Sequence, residues 1–139
     1  MTKKSKISIV IMVAFATATA FMSCKKENDA HKPPTMVFKT TAGYTAVDDS
    51  VSVSDTLLVG IIADKTEDDL KTFNVSYAYD GATTTTSKDN FTLTSAEATH
   101  YEKDYTVITR SSAGKEKWVF TITDRDGNIT SLPITLTVQ

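Results

Sequence analysis

With 139 residues, the chain is long enough to bury one hydrophobic core and too short for two domains of ordinary size. Beyond position 23 it carries 17 acidic and 12 basic residues, a net charge of −5. This acidity argues against nucleic acid as a partner and against adhesion to anionic lipid through a basic patch. The single cysteine excludes an internal disulfide, so hydrophobic packing has to stabilise the fold.

Residues 1–23 have the composition of an export signal. Lys3, Lys4 and Lys6 form a basic start without acids, and the residues at 7–22 carry no charge. A basic region followed by an apolar one is typical of a secretory signal peptide. As a helix, the apolar region would be about 24 Å long, short of the roughly 30 Å hydrocarbon core. We therefore expect a cleaved signal rather than a transmembrane anchor.

The only cysteine, Cys24, follows this region. The segment Phe21-Met22-Ser23-Cys24 resembles the lipobox of bacterial lipoproteins, in which a small residue precedes a cysteine that becomes the lipidated first residue. The resemblance implies cleavage between Ser23 and Cys24 and lipidation of Cys24. The alternative is an ordinary secretory signal cut near the small residues at 18–20. That cut would leave an unpaired thiol on an exported protein, which is unfavourable.

The composition changes after Cys24. Residues 24–34 are mostly polar and end in Pro33-Pro34, so we expect a short extended tether that buries no apolar surface. From Thr35 onward the chain is rich in Thr, Val, Ile, Tyr and Phe and is punctuated by turn residues, which is typical of β-strands. The folded domain is therefore predicted over residues 35–139.

Strand-favouring residues between turn signals predict the strands in chain order, and Leu70–Tyr79 and the last two strands also alternate apolar and polar residues. They are Thr35–Thr40, Val51–Ala63, Leu70–Tyr79, Thr83–Thr86, Phe91–Leu93, Tyr105–Arg110, Trp118–Thr123 and Ile129–Val138. Asp80-Gly81 and residues 124–128 are predicted hairpin turns, and Ser95–Lys103 is predicted to be a loop or a helical turn. Because Pro133 lacks an amide donor, the last strand is expected to be an edge strand or to bulge there.

Short strands with a turn signal about every 8–12 residues predict an all-β fold, an immunoglobulin-like antiparallel β-sandwich of about seven strands. The cysteine pair of antibody domains is missing, and the only tryptophan, Trp118, lies on the penultimate predicted strand. A closed β-barrel is the main alternative. The sequence shows no repeat with a period of 20–50 residues, which argues against a repeat protein.

Several segments of the chain are similar to a known kind of protein. They are A-G-Y-T (42–45), V-G-I-I-A (59–63), D-L-K-T-F (69–73), Y-E-K-D-Y-T-V-I-T-R (101–110) and A-G-K-E-K-W-V-F-T-I-T-D-R-D-G-N (113–128). With the lipobox and the polar tether, they resemble small Bacteroidota lipoproteins with an immunoglobulin-like domain, most of which have no assigned function. The resemblance implies attachment to the outer membrane, on its periplasmic or its surface side. It carries over no catalytic or binding residue.

Asp124, Asp126 and Asn128 are a candidate calcium site, because hard cations bind several closely spaced oxygen ligands. The alternative is a hairpin turn, in which Gly127 supplies a left-handed conformation and the Asp and Asn side chains cap free amides. A strand is predicted after these residues, whereas an EF-hand would have a helix there. We therefore favour the turn.

The chain lacks the residue patterns of common enzymes. Its two histidines are His31, in the tether, and His100, and neither has a cysteine or a second histidine at metal-ligand spacing. Nucleophile-elbow, metalloprotease and phosphate-loop motifs do not occur in the sequence. We therefore expect no catalytic residues and no cofactor.

Tyr44 and Tyr101, which are predicted to lie in loops, are candidates for stacking on sugar rings. Such a site would need them, or Tyr79, to be exposed in one plane, whereas strand alternation favours the core for Tyr79. Asp49-Ser50-Val51 and Asp55-Thr56-Leu57 resemble the sites at which Bacteroidota O-glycosylate exported proteins.

Together these features favour a non-enzymatic binding or spacer module at the cell envelope, anchored by lipid on Cys24 and presenting its loops to a protein partner or to the envelope. Two alternatives stay open. One is a carbohydrate-binding accessory lipoprotein, and the other is an adhesion domain stabilised by calcium. The expected partners are thus the membrane and either an envelope protein or a glycan, and nucleic acid is not expected.

Overall fold

Eight strands form in residues 31–139, the part of the chain that the computed structural model describes. They are β1 (Thr35–Phe38), β2 (Asp49–Val51), β3 (Thr56–Asp64), β4 (Leu70–Tyr79), β5 (Thr86–Thr92), β6 (His100–Ile108), β7 (Gly114–Asp124) and β8 (Ile129–Val138). None of the residues in 31–139 is helical. The predicted signal, the lipidation site at Cys24 and most of the tether lie outside the described residues.

The strands divide into two sheets. Three form a sheet in the order β1-β3-β6, and the other five form a sheet in the order β2-β8-β7-β4-β5. Every neighbouring pair is antiparallel except β2 and β8, which are parallel. Two open sheets that share one core between them are an immunoglobulin-like β-sandwich, which confirms the predicted fold and excludes the closed barrel.

The first strands of the domain belong to different sheets. β1 pairs with β3 along its whole length, whereas β2 pairs with Leu136–Val138 at the end of β8. The segment between them, residues 39–48, therefore crosses from one sheet to the other. The sequence did not predict β2, because it has only three residues and its partners lie 87 positions later in the chain.

The core lies between the sheets and follows strand alternation. On β7, Trp118, Phe120 and Ile122 are buried, while Val119 between them is half-buried. The ring of Phe120 stacks on that of Phe73 in β4, with centroids 6.4 Å apart. Other fully buried apolar side chains come from both sheets: Ile61, Val75, Val107, Ile134, Leu136 and Val138. At about 1.5–3 kcal/mol for each large side chain, this burial is the main source of stability.

Several strands differ from the prediction. The predicted strand Val51–Ala63 is divided, since Val51 belongs to β2 and β3 starts only at Thr56. The predicted strand Thr83–Thr86 is wrong, because residues 83–85 belong to the β4–β5 loop. β5 spans Thr86–Thr92, and a bulge opposite Val75 and Ser76 of β4 interrupts its alternation. β6 begins at His100 rather than at Tyr105. The charged residues at 102–104 concealed its first half, since a run of charges resembles a solvated loop.

Pro133 lies in the middle of β8 without disturbing it. β8 pairs with β7 over its whole length and shows no register shift, so the strand does not bulge. β2 covers only Leu136–Val138. At Pro133, therefore, β8 is an edge strand, as predicted, and the missing amide donor leaves no ladder bond unmade.

The two ends of the sandwich carry different turns. At one, which we call the tether end, the described chain enters at Thr35, beside the β3–β4, β5–β6 and β7–β8 turns. The Thr130 hydroxyl donates to the Pro34 carbonyl there at 2.5 Å. The opposite end, which we call the distal end, carries the β2–β3, β4–β5 and β6–β7 loops and Gln139.

Candidate functional site

A cluster of charged and aromatic side chains occupies the distal end. It starts at the β4–β5 turn, where Asp80 and Gly81 adopt φ angles of 51° and 82°. The Ala82 amide donates to the Tyr79 carbonyl at 2.9 Å. Two successive residues with positive φ give the tight hairpin turn that Asp-Gly favours, so the predicted turn is confirmed.

Arg110, in the β6–β7 loop, ties this turn to the neighbouring loop. Its guanidinium donates to both carboxylate oxygens of Asp80, at 2.7 and 2.6 Å, and lies 5.0 Å from the centroid of the Tyr79 ring. The Lys115 amide also donates to Asp80, at 3.0 Å. The Arg110 pair, with help from this amide, lowers the pKa of Asp80 to about 2, so the carboxylate stays charged at neutral pH.

Glu116, on β7, is the buried part of this cluster. Its exposure is 0 %, and both of its oxygens accept hydrogen bonds. Oε1 accepts from the Arg110 backbone amide at 2.7 Å, and Oε2 accepts from the Trp118 indole at 2.9 Å. The Arg110 Nε lies 3.9 Å from Oε1 and supplies the opposite charge. A buried carboxylate needs such partners, because leaving it unpaired costs several kcal/mol.

Gly114 makes the approach of Arg110 possible. Its φ is +145°, a backbone conformation that residues with a side chain rarely adopt. A Cβ at this position would lie only 1.4 Å from Nη2 of Arg110 and 2.5 Å from Oδ1 of Asp80. Gly114 therefore allows both the positive φ angle of the backbone and the contact between Arg110 and Asp80.

The cluster makes the distal loops rigid and leaves their outer side chains free. Asp80, Arg110 and Glu116 each face another member of the cluster, so they position backbone segments rather than present an unpaired acid or base. Tyr79 keeps 37 % of its surface exposed. Apart from Asp80 and Gly81, the exposed residues of the three loops are small and largely hydroxyl-bearing: Ser52, Val53, Ser54, Ala82, Thr83, Thr84, Thr85, Ser111, Ser112 and Ala113.

The amino-acid sequence alone does not reveal this cluster. Asp80 and Arg110 lie 30 positions apart and meet only when β4 and β6 are placed in their sheets. One local signal was available, since Glu116 occupies the same strand face as Trp118, Phe120 and Ile122. An acid that continues an apolar alternation indicates a buried carboxylate that needs partners.

Tyr101 does not lie in a loop, and its proposed stacking on a ligand is wrong. It is part of β6, is only 4 % exposed, and its ring lies 5.3 Å from that of Phe73 in the core. Burial raises the pKa of its hydroxyl to about 12. Tyr44 is half-buried, and its hydroxyl donates to Asp104 at 2.9 Å. Tyr44 and Tyr101 therefore form no exposed aromatic plane.

The candidate calcium ligands form the β7–β8 turn. Asp124 is 1 % exposed, and its Oδ1 accepts from the amides of Asp126 and Asn128 at 3.0 and 2.8 Å. Its Oδ2 accepts from the Asn128 side-chain amide at 2.9 Å. Both oxygens are thus used within the turn, which supports the hairpin interpretation. Residues 31–139 contain no group of three His, Cys, Asp or Glu side chains arranged to hold a metal.

A row of ion pairs crosses the outer face of the three-stranded sheet. His100 lies between Asp64, at 2.6 Å, and Glu102, at 3.2 Å. The hydrogen bond to Asp64 is the main cause that raises the pKa of His100. Lys39 continues the row, with its ammonium 3.1 Å from Glu102 and 2.9 Å from Asp104.

The two possible O-glycosylation sites share one local geometry. Ser50 and Thr56 are exposed, and each donates its backbone amide to the carboxylate of the preceding Asp, at 2.7 and 2.8 Å. Ser50 also borders an open polar depression of about 370 Å³. Its lining residues are Asp48, Asp49, Ser50, Lys115, Thr135 and Thr137.

Neither a comparison with protein families nor one with curated proteins finds a match for this sequence. Among solved structures, the chain is similar to the CARDB domain of the PF1109 protein from Pyrococcus furiosus, which was solved in complex with di-metal ions. The two chains are 12 % identical, with a TM-score of 0.46, and the match covers 76 % of this chain and 94 % of that one. The metal ions belong to that protein, and we draw no function from the likeness.

Proposed function

We propose that this chain is a lipid-anchored binding module of the bacterial cell envelope that performs no chemistry. Acyl chains on Cys24 hold it at the outer membrane, and its distal loops bind an envelope protein. The observation that carries the proposal is the separation of the two ends of the sandwich. The chain enters at Thr35 beside the tether end, and the rigid loops lie at the opposite end.

The anchor rests on the N-terminal sequence. A basic and apolar segment that is too short to span a bilayer precedes the only cysteine, Cys24, within a lipobox-like motif. Among residues 31–139, no helix is long and apolar enough to cross a membrane. Stable attachment by acyl chains takes two or more of them. The polar residues 25–34 then separate the sandwich from the lipid.

Charge supports the same orientation. The three tether-end turns, residues 65–69, 93–99 and 125–128, contain five acidic and two basic residues. Anionic headgroups repel such a surface, so the domain does not lie flat on the membrane through this end. The three distal loops, residues 52–55, 80–85 and 109–113, contain two acidic residues and one basic residue, and Asp80 and Arg110 neutralise each other. The distal end is therefore the less acidic of the two.

The distal end has two properties of a binding face. The buried bonds of Glu116 and the Asp80–Arg110 pair fix the β4–β5 and β6–β7 loops, and the Ser54 amide ties the β2–β3 loop to the Arg110 carbonyl at 3.0 Å. Little conformational freedom is therefore lost when a partner binds. Tyr79 adds a large ring that Arg110 holds in place, among exposed Ser and Thr residues. A rigid tyrosine surrounded by small hydroxyl side chains is the composition that antibody loops use against protein surfaces.

A glycan is the second candidate ligand, and the exposure of Tyr79 is the observation that favours it. One face of this ring carries the Arg110 guanidinium, and the side chain remains 37 % exposed. A sugar ring can stack on such a tyrosine, while the hydroxyl groups of neighbouring Ser and Thr residues form hydrogen bonds with the hydroxyl groups of the sugar. Tyr79→Ala should then abolish retention on an envelope polysaccharide, and Tyr44→Ala, on another face, should not.

Two measurements test the lead proposal in cells that produce the full chain. Cys24→Ala should move the protein from the membrane to the soluble fraction and leave it folded. Photo-crosslinking residues placed at Ser112, in the distal end, and at Thr66, in the tether end, form a matched pair because both positions are exposed. A partner captured from position 112 and not from position 66 supports the proposal. Membrane retention of the Cys24→Ala variant contradicts the anchor, and equal capture contradicts the distal face.

A further inference from the structure

We propose that residues 35–51 form a mechanical clamp that transmits tension from the anchor into both sheets of the sandwich. The inference rests on the proposed function, because an anchor at Cys24 and a partner at the distal end would pull the domain from opposite ends. Force would enter at Thr35 and leave through the distal end. The first strands it meets are β1 and β2, and each is bonded to a different sheet.

β1 receives the force along its own axis. Thr35, at the tether end, pairs with Asp64, and Phe38 pairs with Ile61 farther from that end. Backbone hydrogen bonds of an antiparallel pair run perpendicular to the strands. A pull on Thr35 away from the sandwich therefore slides β1 along β3 and loads these bonds together. Separating the strands sideways from one end would instead break the bonds one at a time.

β2 repeats this geometry in the other sheet. It runs parallel to β8, with Asp49 opposite Leu136 and Val51 opposite Val138. The amide of Gln139 donates to the Val51 carbonyl at 2.9 Å, which extends the pairing by one bond. A pull on β2 toward the tether end and a pull on β8 toward the distal end again slide two paired strands past each other. The two strand pairs thus act in series along the N-terminal segment.

Side chains fasten the segment between the two strands. The Lys39 ammonium pairs with Glu102 and Asp104 of β6, and the Lys39 amide donates to the Gly60 carbonyl at 2.8 Å. Gly60 gives the lysine its path across β3, because a Cβ there would lie 2.6 Å from the Lys39 Cδ. The Tyr44 hydroxyl donates to Asp104 as well. These contacts connect the segment to β6, a strand to which neither β1 nor β2 is bonded.

Single-molecule force spectroscopy tests the clamp, and the chain offers its own handle. The chain from Cys24 to Gln139 contains all eight strands, and its only thiol lies at the proposed anchor point. A second cysteine appended after Gln139 sets the pull along the strands. Thr66→Cys, in the exposed β3–β4 turn, is the matched control, because a pull between positions 24 and 66 opens β1 from β3 sideways.

We call the pull between Cys24 and the added C-terminal cysteine the first geometry and the pull between positions 24 and 66 the second. At equal loading rate we expect the unfolding force to be roughly twofold higher in the first geometry, because bonds that are loaded together share the force. Equal forces in the two geometries would overturn the clamp. Lys39→Met, which keeps the side-chain stem over Gly60, should lower the force in the first geometry. Lys88→Met, on the edge strand β5, should not, and equal effects would remove Lys39 from the clamp.

The clamp and the proposed function fail separately. The force measurement uses the isolated chain and does not depend on lipidation or on a partner. A high force in the first geometry together with soluble protein in cell fractionation would leave the clamp standing and contradict the anchor. Equal forces in the two geometries together with membrane-bound protein would support the anchor and contradict the clamp.

Discussion

The Trp118 indole donates to Glu116, two positions earlier on the same strand, at 2.9 Å. The only tryptophan of the chain thus supports the one glutamate that is fully buried within residues 31–139. The second oxygen of Glu116 accepts the backbone amide of Arg110. One carboxylate therefore joins the end of the core to the β6–β7 loop. Its removal should affect both.

Glu116→Ala should lower the free energy of unfolding by about 3 kcal/mol or more, because it leaves the Trp118 indole and the Arg110 amide buried without an acceptor. Glu116→Gln keeps one acceptor oxygen and should cost less. Urea unfolding followed by tryptophan fluorescence measures both variants. Glu67→Ala, at an exposed acid of the β3–β4 turn, is the control and should change stability little. If the Glu116→Ala and Glu67→Ala variants were equally stable, the supporting role of Glu116 would be wrong.

Gly114→Ala should be more damaging than Gly43→Ala, although both glycines have positive φ angles. At Gly43 no atom lies within 4 Å of a new Cβ, so the expected cost is about 1–2 kcal/mol of backbone strain. At Gly114 the new methyl group meets the Arg110 guanidinium and has to displace it. Denaturant midpoints of the two variants give the comparison. A Gly114→Ala variant as stable as Gly43→Ala would mean that the guanidinium moves away without cost.

Calcium should not affect the β7–β8 turn. Chelation by EGTA should leave the melting temperature of the chain unchanged, because both Asp124 oxygens accept hydrogen bonds from the turn itself. Asp124→Ala should lower the free energy of unfolding by about 2 kcal/mol through the loss of these bonds. Asp126→Ala leaves them in place and serves as the control. A melting temperature that falls with EGTA would restore the calcium interpretation.

The His100 ring should titrate above 6.5, because hydrogen bonds to Asp64 and then to Glu102 raise its pKa. A raised folded-state pKa means that protonation favours the folded state. This stabilisation is complete below pH 6.5 and is lost as the pH rises through the folded-state pKa. NMR titration of the ring measures the pKa directly. Asp64→Asn should lower it, whereas Asp55→Asn, at the other end of β3, should not, and an identical pKa in both variants would contradict the pairing.

The accuracy of the strand predictions depended on how local the signal was. On β7, Trp118, Phe120 and Ile122 alternate with polar or smaller residues, and this local pattern is enough to define a strand with one buried face. On β6, Glu102 and Asp104 point outward between Tyr101 and Tyr105, and their charges imitate a loop. The prediction therefore placed Tyr101 in a loop, whereas the structure buries it on β6.

The sequence by itself determined the features that neighbouring residues encode. These are the alternation of the strands, the Asp80-Gly81 turn and the immunoglobulin-like class of the fold. Only the tertiary structure decided which strand pairs with which, and hence that Asp80 meets Arg110 and that β2 joins β8. Strand alternation specifies which face of a strand is buried but not its neighbour in the sheet, so contacts between residues 30 or 87 positions apart follow from the packing of the whole chain.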